Sequence, residues 1–291
     1  MSFSDPRIIE RLQREFVPVA IDQAYQRRQK DAEGRFYQKI ANQGPRQVGN
    51  GGPTTQGHYL AAPDGTFLTY GNHRDPEHLL ERLDEALTAY QPTATAAIEP
   101  GKLDPKWNPA PPEGGLVLRV HSRILDGYAE PTTTRAAVFS EAIGRDNAWV
   151  RAEEHASLLA GTFPDSLARR LARFHFVDNT RGEPSMWDKS EVKDLSIELN
   201  TGKVTGTFSL ETSDQRRRYV GDLIGYIESD QDRITRFELA VKGQFRGEGQ
   251  YTRGAPEGDF PLALFIELAT GEDPADAIPP QGSRGWIENY W

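Results

Sequence analysis

From Leu195 to Ala269 the chain alternates apolar and polar residues with period two, in runs broken by short turn signals. The runs are "LSIEL", then "VTGTFSLE" after the turn "NTGK", "RRYVGDLIGYIE", "RITRFELAVKGQFRG" after the turn "SDQD", and "PLALFIELA". Successive side chains of a strand point to opposite faces, so each run has one face to bury and one to wet. Runs of this length at hairpin spacing predict an antiparallel sheet. Ahead of them, "LVLRVHSRIL" reads as a further strand, and "TTTRAAVFSEAIG", "AEEHASLLAG" and "PDSLARRLARFHFVDN" read as helices. The second of these helices is closed by Gly161 and the third opens near Pro164, the positions at which glycine and proline suit helix ends. Helices packed on one face of an antiparallel sheet give the fold class α+β.

At 291 residues the chain is long for one core and comfortable for two. Hydrophobic residues at 37% and charged residues at 26% suit a globular protein. The net charge of −9, with no long basic run, opposes nucleic acid as a partner. No apolar stretch approaches the roughly 20 residues of a membrane span, and "MSFSDPRIIERLQREF" lacks the pattern of a signal peptide. A soluble chain with no membrane partner is expected; one processed or truncated from an exported precursor reads the same way, which leaves the compartment open. The chain has no cysteine, which excludes disulfides, thiolate nucleophiles and cysteine-type zinc sites. Any metal must therefore sit on His, Asp or Glu.

In the first third, "PRIIERLQREF" follows the cap signal Ser4/Asp5 and predicts a helix, and "FVPVAID" predicts a buried strand. "DAEGRFYQKIANQ" predicts a second helix, "RQVGNGGPTTQG" a glycine-rich loop, and "HYLAAPDGTFLTYG" a hairpin about "PDG". "DPEHLLERLDEALTAY" then sets Leu79, Leu80, Leu83 and Leu87 on one face of an amphipathic helix. With "DPRIIERLQREFVPVAID" leading and "YLAAPDGTFLTYGNHRDPEHLLERLDEAL" closing, residues 3 to 90 resemble the thioredoxin-like fold of bacterial thioredoxin-domain proteins. The resemblance implies an α/β domain, residues 1–90, from which the family's redox cysteines are missing; Gln56 and Gly57 stand where its cis-proline is expected. It therefore implies a scaffold or interaction role, with thiol–disulfide chemistry excluded. Residues 91–115, dense in proline and small residues, read as a linker, and residues 116–291 as the α+β domain.

Candidate chemistry concentrates in that second domain. His155 shares a helical face with Leu158 and Leu159, and His175 follows Leu171 and Leu167 on the buried side of its helix. His121 lies on the polar face of a strand with Arg119 and Arg123. Three neutral imidazoles with one open position match a zinc or copper site, and in the stretch "ARFHFVDNTRGEPSMW" Asp178 is a fourth candidate for the metal. Hydrolysis by metal-activated water is the expected chemistry, on a small-molecule or peptide substrate. Glu154 or Glu183 would be the base, and Arg181 or Arg246 would stabilise developing charge. A copper oxidoreductase with the same ligands is the alternative. The residues equally fit hydrogen-bonded core histidines, a helix C-cap at Asn179 in the left-handed region with an Arg–Glu pair locking the loop, and a curved sheet edge in "VKGQFRGEGQYTRGAPEGDFP". In the first domain, N-capping accounts for Asp75 beside His73 and His78 without a metal. A third reading is a non-catalytic protein-binding module, with Trp107, Trp187, Trp286 and Trp291 in linker-like or terminal stretches.

Overall fold

The computed structural model describes residue 3 and residues 5–46, 52–92, 101–130, 134–283 and 287–291. Trp286 and residues 47–51 of the glycine-rich loop lie outside the described residues. The chain divides into two compact units, Met1–Pro109 and Ala110–Trp291.

In the first unit, helices α1 (Pro6–Glu15), α2 (Gln23–Gln26), α3 (Ala32–Ala41) and α4 (Pro76–Ala89) surround a hairpin of β1 (His58–Ala61) and β2 (Phe67–Gly71). Every helix is started by an aspartate, Asp5, Asp22, Asp31 or Asp75, whose carboxylate accepts a first-turn N–H. Each such cap is worth about 1 kcal/mol. The core is small: Ile8 of α1, Leu60 of β1 and Leu79, Leu83 and Ala86 of α4, with Leu12, Phe16, Leu68 and Leu80 against it. Leu87, expected on the buried face, is exposed. Two further expectations are corrected. Residues 16–22 form no strand: they run as unpaired chain, with Val17, Val19 and Ile21 open to solvent. Residues 101–109 are also not free linker. Asp104 N–H donates to Asp31 (2.7 Å), Asp104 accepts from Lys30 N–H (3.2 Å), and the Trp107 ring meets Tyr25 edge-on.

The second unit carries a seven-stranded antiparallel sheet in the order β4-β3-β9-β8-β7-β6-β5. The strands are β3 (Leu116–Ile124), β4 (Gly144–Val150), β5 (Val192–Asn200), β6 (Lys203–Glu211), β7 (Arg218–Asp230), β8 (Arg233–Arg246) and β9 (Asp259–Leu268). Helices α5 (Thr134–Glu141), α6 (Ala152–Leu159) and α7 (Asp165–Phe174) fall between β3 and β5, and α8 (Ile287–Tyr290) lies near the end. The period-two runs become β5 to β9, and their inward positions, among them Phe208, Leu223, Leu239 and Ile266, form one core with Leu158 of α6 and Leu167 and Leu171 of α7. Burying each such side chain contributes roughly 1.5–3 kcal/mol. The "NTGK" turn closes with Thr201 and Gly202 both at positive φ (48° and 81°), the backbone a tight hairpin of this twist requires. β4 was not expected, because "GRDNAWV" does not alternate; its pairing with β3 makes it a strand. Among the described residues no helix is long and apolar enough to cross a membrane.

β7 and β8 meet at Gly221 and Gly243, which are register partners. A Cβ on Gly243 would collide with the Val220 carbonyl oxygen, and one on Gly221 with that of Lys242. Backbone, unlike a side chain, has no rotamer by which to yield. Gly243→Ala is expected to destabilise the second unit by ~2 kcal/mol or more, measured by chemical denaturation.

Candidate functional site

The structure does not bring the three predicted ligands of the second unit together. His121 sits on the face of β3 opposite Leu118, Val120 and Ile124, with Nε2 3.4 Å from Glu267 Oε1 on β9. His155 is half-exposed at the side of α6, and its Nδ1 lies 3.0 Å from the Gly114 carbonyl oxygen. Only His175 is buried, as the cap of α7, with 1% of its surface exposed. Its Nε2 is 2.7 Å from the Tyr290 hydroxyl, and its Nδ1 is 3.1 Å from Asp146 Oδ2 but poorly aligned with it. Trp149 N–H donates to the Tyr290 oxygen (3.2 Å), and the same hydroxyl pairs with His175 Nε2. Asp146, His175 and Tyr290 thus form a chain of polar groups, closed at its Tyr290 end.

The candidate acids and cations are also engaged. Glu154 lies in the capping box of α6 and binds Arg170 through both oxygens, with further hydrogen bonds from Ser166 Oγ (2.6 Å) and Arg151 N–H (3.0 Å). Burial pushes its carboxyl up, but the bonds from Arg170, Ser166 and Arg151 outweigh this and hold it below the ordinary value. A base saturated in this way has no lone pair for water. Asp178 accepts from Thr180 N–H (3.0 Å) and Thr180 Oγ (2.6 Å) on one oxygen, and pairs with buried Arg181 through the other. Arg181 also donates to the Thr252 carbonyl, and Glu248 accepts from Gly254 N–H (2.6 Å) and Ala255 N–H (2.7 Å). "DNTRGE" is therefore a clasp that fixes the loop from β8 to β9. The positive-φ cap expected at Asn179 is not formed; Asn179 instead accepts from Ser122 of β3. Arg246 is paired with Asp259 across β8 and β9 (2.7 Å), and Glu183 is exposed beside the clasp. Tyr128, near Arg181, Asp178 and Glu248, has its hydroxyl buried without a hydrogen bond, and burial pushes its pKa up to about 12.

One metal-compatible group is found among the described residues, and it lies in the first unit. His73, Asp75 and His78 each offer one ligand atom, all within 4.8 Å of one another, and the two rings are 4.3 Å apart. Asp75 caps α4, accepting Glu77 N–H at 3.1 Å, and the Asp75 N–H donates to His73 Nδ1 at 3.1 Å. The cap was legible in the sequence, and so was the clustering of three of the six histidines within 58–78. The approach of the two rings was not, since His73 precedes the helix and helical spacing does not reach it. Comparison with family models, with curated proteins and with solved structures finds no match.

Two outcomes follow from the polar contacts of the second unit. Tyr290→Phe leaves His175 Nε2 and Trp149 N–H unpaired and should cost about 1–3 kcal/mol in denaturant unfolding. Glu154→Gln strands the Arg170 charge and should cost about 3–5 kcal/mol at neutral pH. Because the Glu154 carboxyl titrates below its unfolded value near 4.5, its contribution is complete above that pH and is lost as pH falls through the folded value. The gap between wild type and Glu154→Gln should therefore narrow in acid, as read by unfolding curves across pH.

Proposed function

We propose that this chain is a non-catalytic protein-binding module whose docking element is residues 17–21, along which a partner polypeptide adds an extended strand. The observation that carries this reading is the state of that segment. Val17, Val19 and Ile21 are 88%, 70% and 40% exposed, and no backbone hydrogen bond is made by residues 17–21 among the described residues. The backbone is extended at Phe16 and Asp22 on either side, and alternate apolar side chains on an unpaired backbone are what strand addition uses. Pro18 gives the segment a direction. Its missing N–H interrupts the edge formed by residues 16, 18 and 20, while residues 17, 19 and 21 keep every donor and acceptor on the other.

The zinc hydrolase or copper oxidoreductase expected at His121, His155 and His175 would need three rings at one ion, which their separate partners oppose. Three of the tryptophans expected to serve binding are engaged within their own units. Trp187 is buried and donates to the Phe176 carbonyl (2.8 Å), Trp107 packs on Tyr25, and Trp291 stacks near Trp149. Residues 17–21 carry the proposal without them.

A displayed library of eight-residue peptides alternating Val, Ile or Thr with polar residues provides the probe. Peptides enriched on the wild-type protein should bind a Val17→Lys/Val19→Lys variant at least tenfold more weakly, and should slow amide exchange at Val17, Val19 and Ile21. Equal binding to both proteins, or no enrichment, would rule the docking strand out.

A further inference from the structure

The hairpin and α4 of the first unit border an open pocket of about 140 Å³, lined by His58, Gly71, His73, His78, Leu79 and Arg82. Strand register sets its floor: His58 is paired with Gly71, and the Arg82 chain lies against the glycine, with Cγ 3.1 Å from where a Cβ would stand. Half of the protein's six histidines therefore face one small volume. N-capping explains one oxygen of Asp75; the other has no hydrogen-bond partner among the described residues. His78 has Nδ1 3.4 Å from Glu81 Oε2, one turn along α4. A carboxylate beside a ring nitrogen is the kind of partner that orients a ligating histidine.

We propose that His73, Asp75 and His78 form a binding site for a first-row divalent transition ion, zinc in the simplest case, with His58 on the wall behind it. Two imidazole nitrogens and one carboxylate oxygen suit zinc, cobalt, nickel or copper and do not suit calcium or magnesium, which take oxygen alone. An ion holding its ligands at about 2.1 Å in a tetrahedron sets them roughly 3.4 Å apart. Atoms already within 4.8 Å reach this by small rotations of two exposed histidines and the half-buried Asp75. His58 adds no charge against the ion, because burial pushes its pKa down. Arg82 is a cation on the wall, but it is paired with Glu85 at 2.6 Å. Two features limit affinity. The N-terminus of α4 carries partial positive charge, and the ion must displace the Asp75 N–H bond at His73 Nδ1 or the proton on Nε2. The expected affinity is therefore in the micromolar range and not tighter, with positions left open to water.

Calorimetric titration of the tag-free full chain with zinc chloride tests the site, with cobalt chloride and its visible absorption reporting the ligand geometry. One ion per chain is expected. His73→Ala, His78→Ala and Asp75→Asn should each weaken binding tenfold or more, the last while retaining the cap, since asparagine also caps. His155→Ala, in the second unit, should change nothing. Far-UV circular dichroism is expected to be unaltered in all four, because the replaced side chains lie at least partly in solvent. Absence of saturable binding, or undiminished binding in a His73→Ala/His78→Ala double variant, overturns the proposal. Undiminished binding in Asp75→Asn overturns the three-ligand site.

Discussion

The Arg170 guanidinium of α7, in a residue 4% exposed, joins its helix to the junction of β4 and α6 and to residues 290–291. It binds both oxygens of Glu154 on α6 and donates to the Trp149 carbonyl of β4 (3.1 Å). It also lies 5.4 Å from the Tyr290 ring and 5.0 Å from the Trp291 ring. A buried cation is tolerated only when its donors are met and its charge is opposed. Glu154 opposes the charge, the carbonyl takes a donor, and the aromatic faces replace part of the lost hydration. α6, α7, the edge strand and the closing aromatic residues all meet at this one group, whose Nε is left without a hydrogen-bond partner.

The two units solve the problem of stability differently. The second has a sheet long enough to bury a continuous apolar layer, so its polar interior serves to fix geometry: the Asp178–Arg181 clasp sets the β8–β9 loop, and the Asp146–His175–Tyr290 chain seats α8. The first has only a handful of buried aliphatic residues and depends on local polar devices. Its four aspartate caps are joined by the Tyr37 hydroxyl to Thr54 Oγ (2.6 Å) and on to Gln23 (2.7 Å), which tie α3 and α2 to the loop before β1. In a unit of that kind an exposed apolar segment such as Val17–Ile21 costs little to keep, because no neighbouring core has to give up contacts for it.

What was legible in the sequence was whatever is decided locally. β5 to β9 follow from alternation and turn chemistry, and α4 and α7 from apolar spacing with Pro76 and Pro164 at their starts. Contacts between distant residues were not legible. β4 exists only by pairing with β3. The β-branched content of 16–22 suggests a strand, but branching supplies no partner, and the segment stays unpaired. His155 was assigned inward from Leu158 and Leu159, yet α6 is two turns long and its buried line runs through Glu154 and Leu158, leaving His155 at the flank. The polar residues after His175 are legible as a cluster; that they meet one another follows from Thr252 and Glu248, some seventy residues away.

The chain of groups around Arg170 also constrains how the protein can drift. Glu154, Arg170, His175 and Tyr290 are spread over more than a hundred positions, yet none can be exchanged alone without leaving another buried and unanswered. Neutral drift at any one of them is closed until a compensating change has arisen elsewhere. In diverging descendants of this sequence the four should behave as a single inherited character, replaced together by apolar residues or kept together.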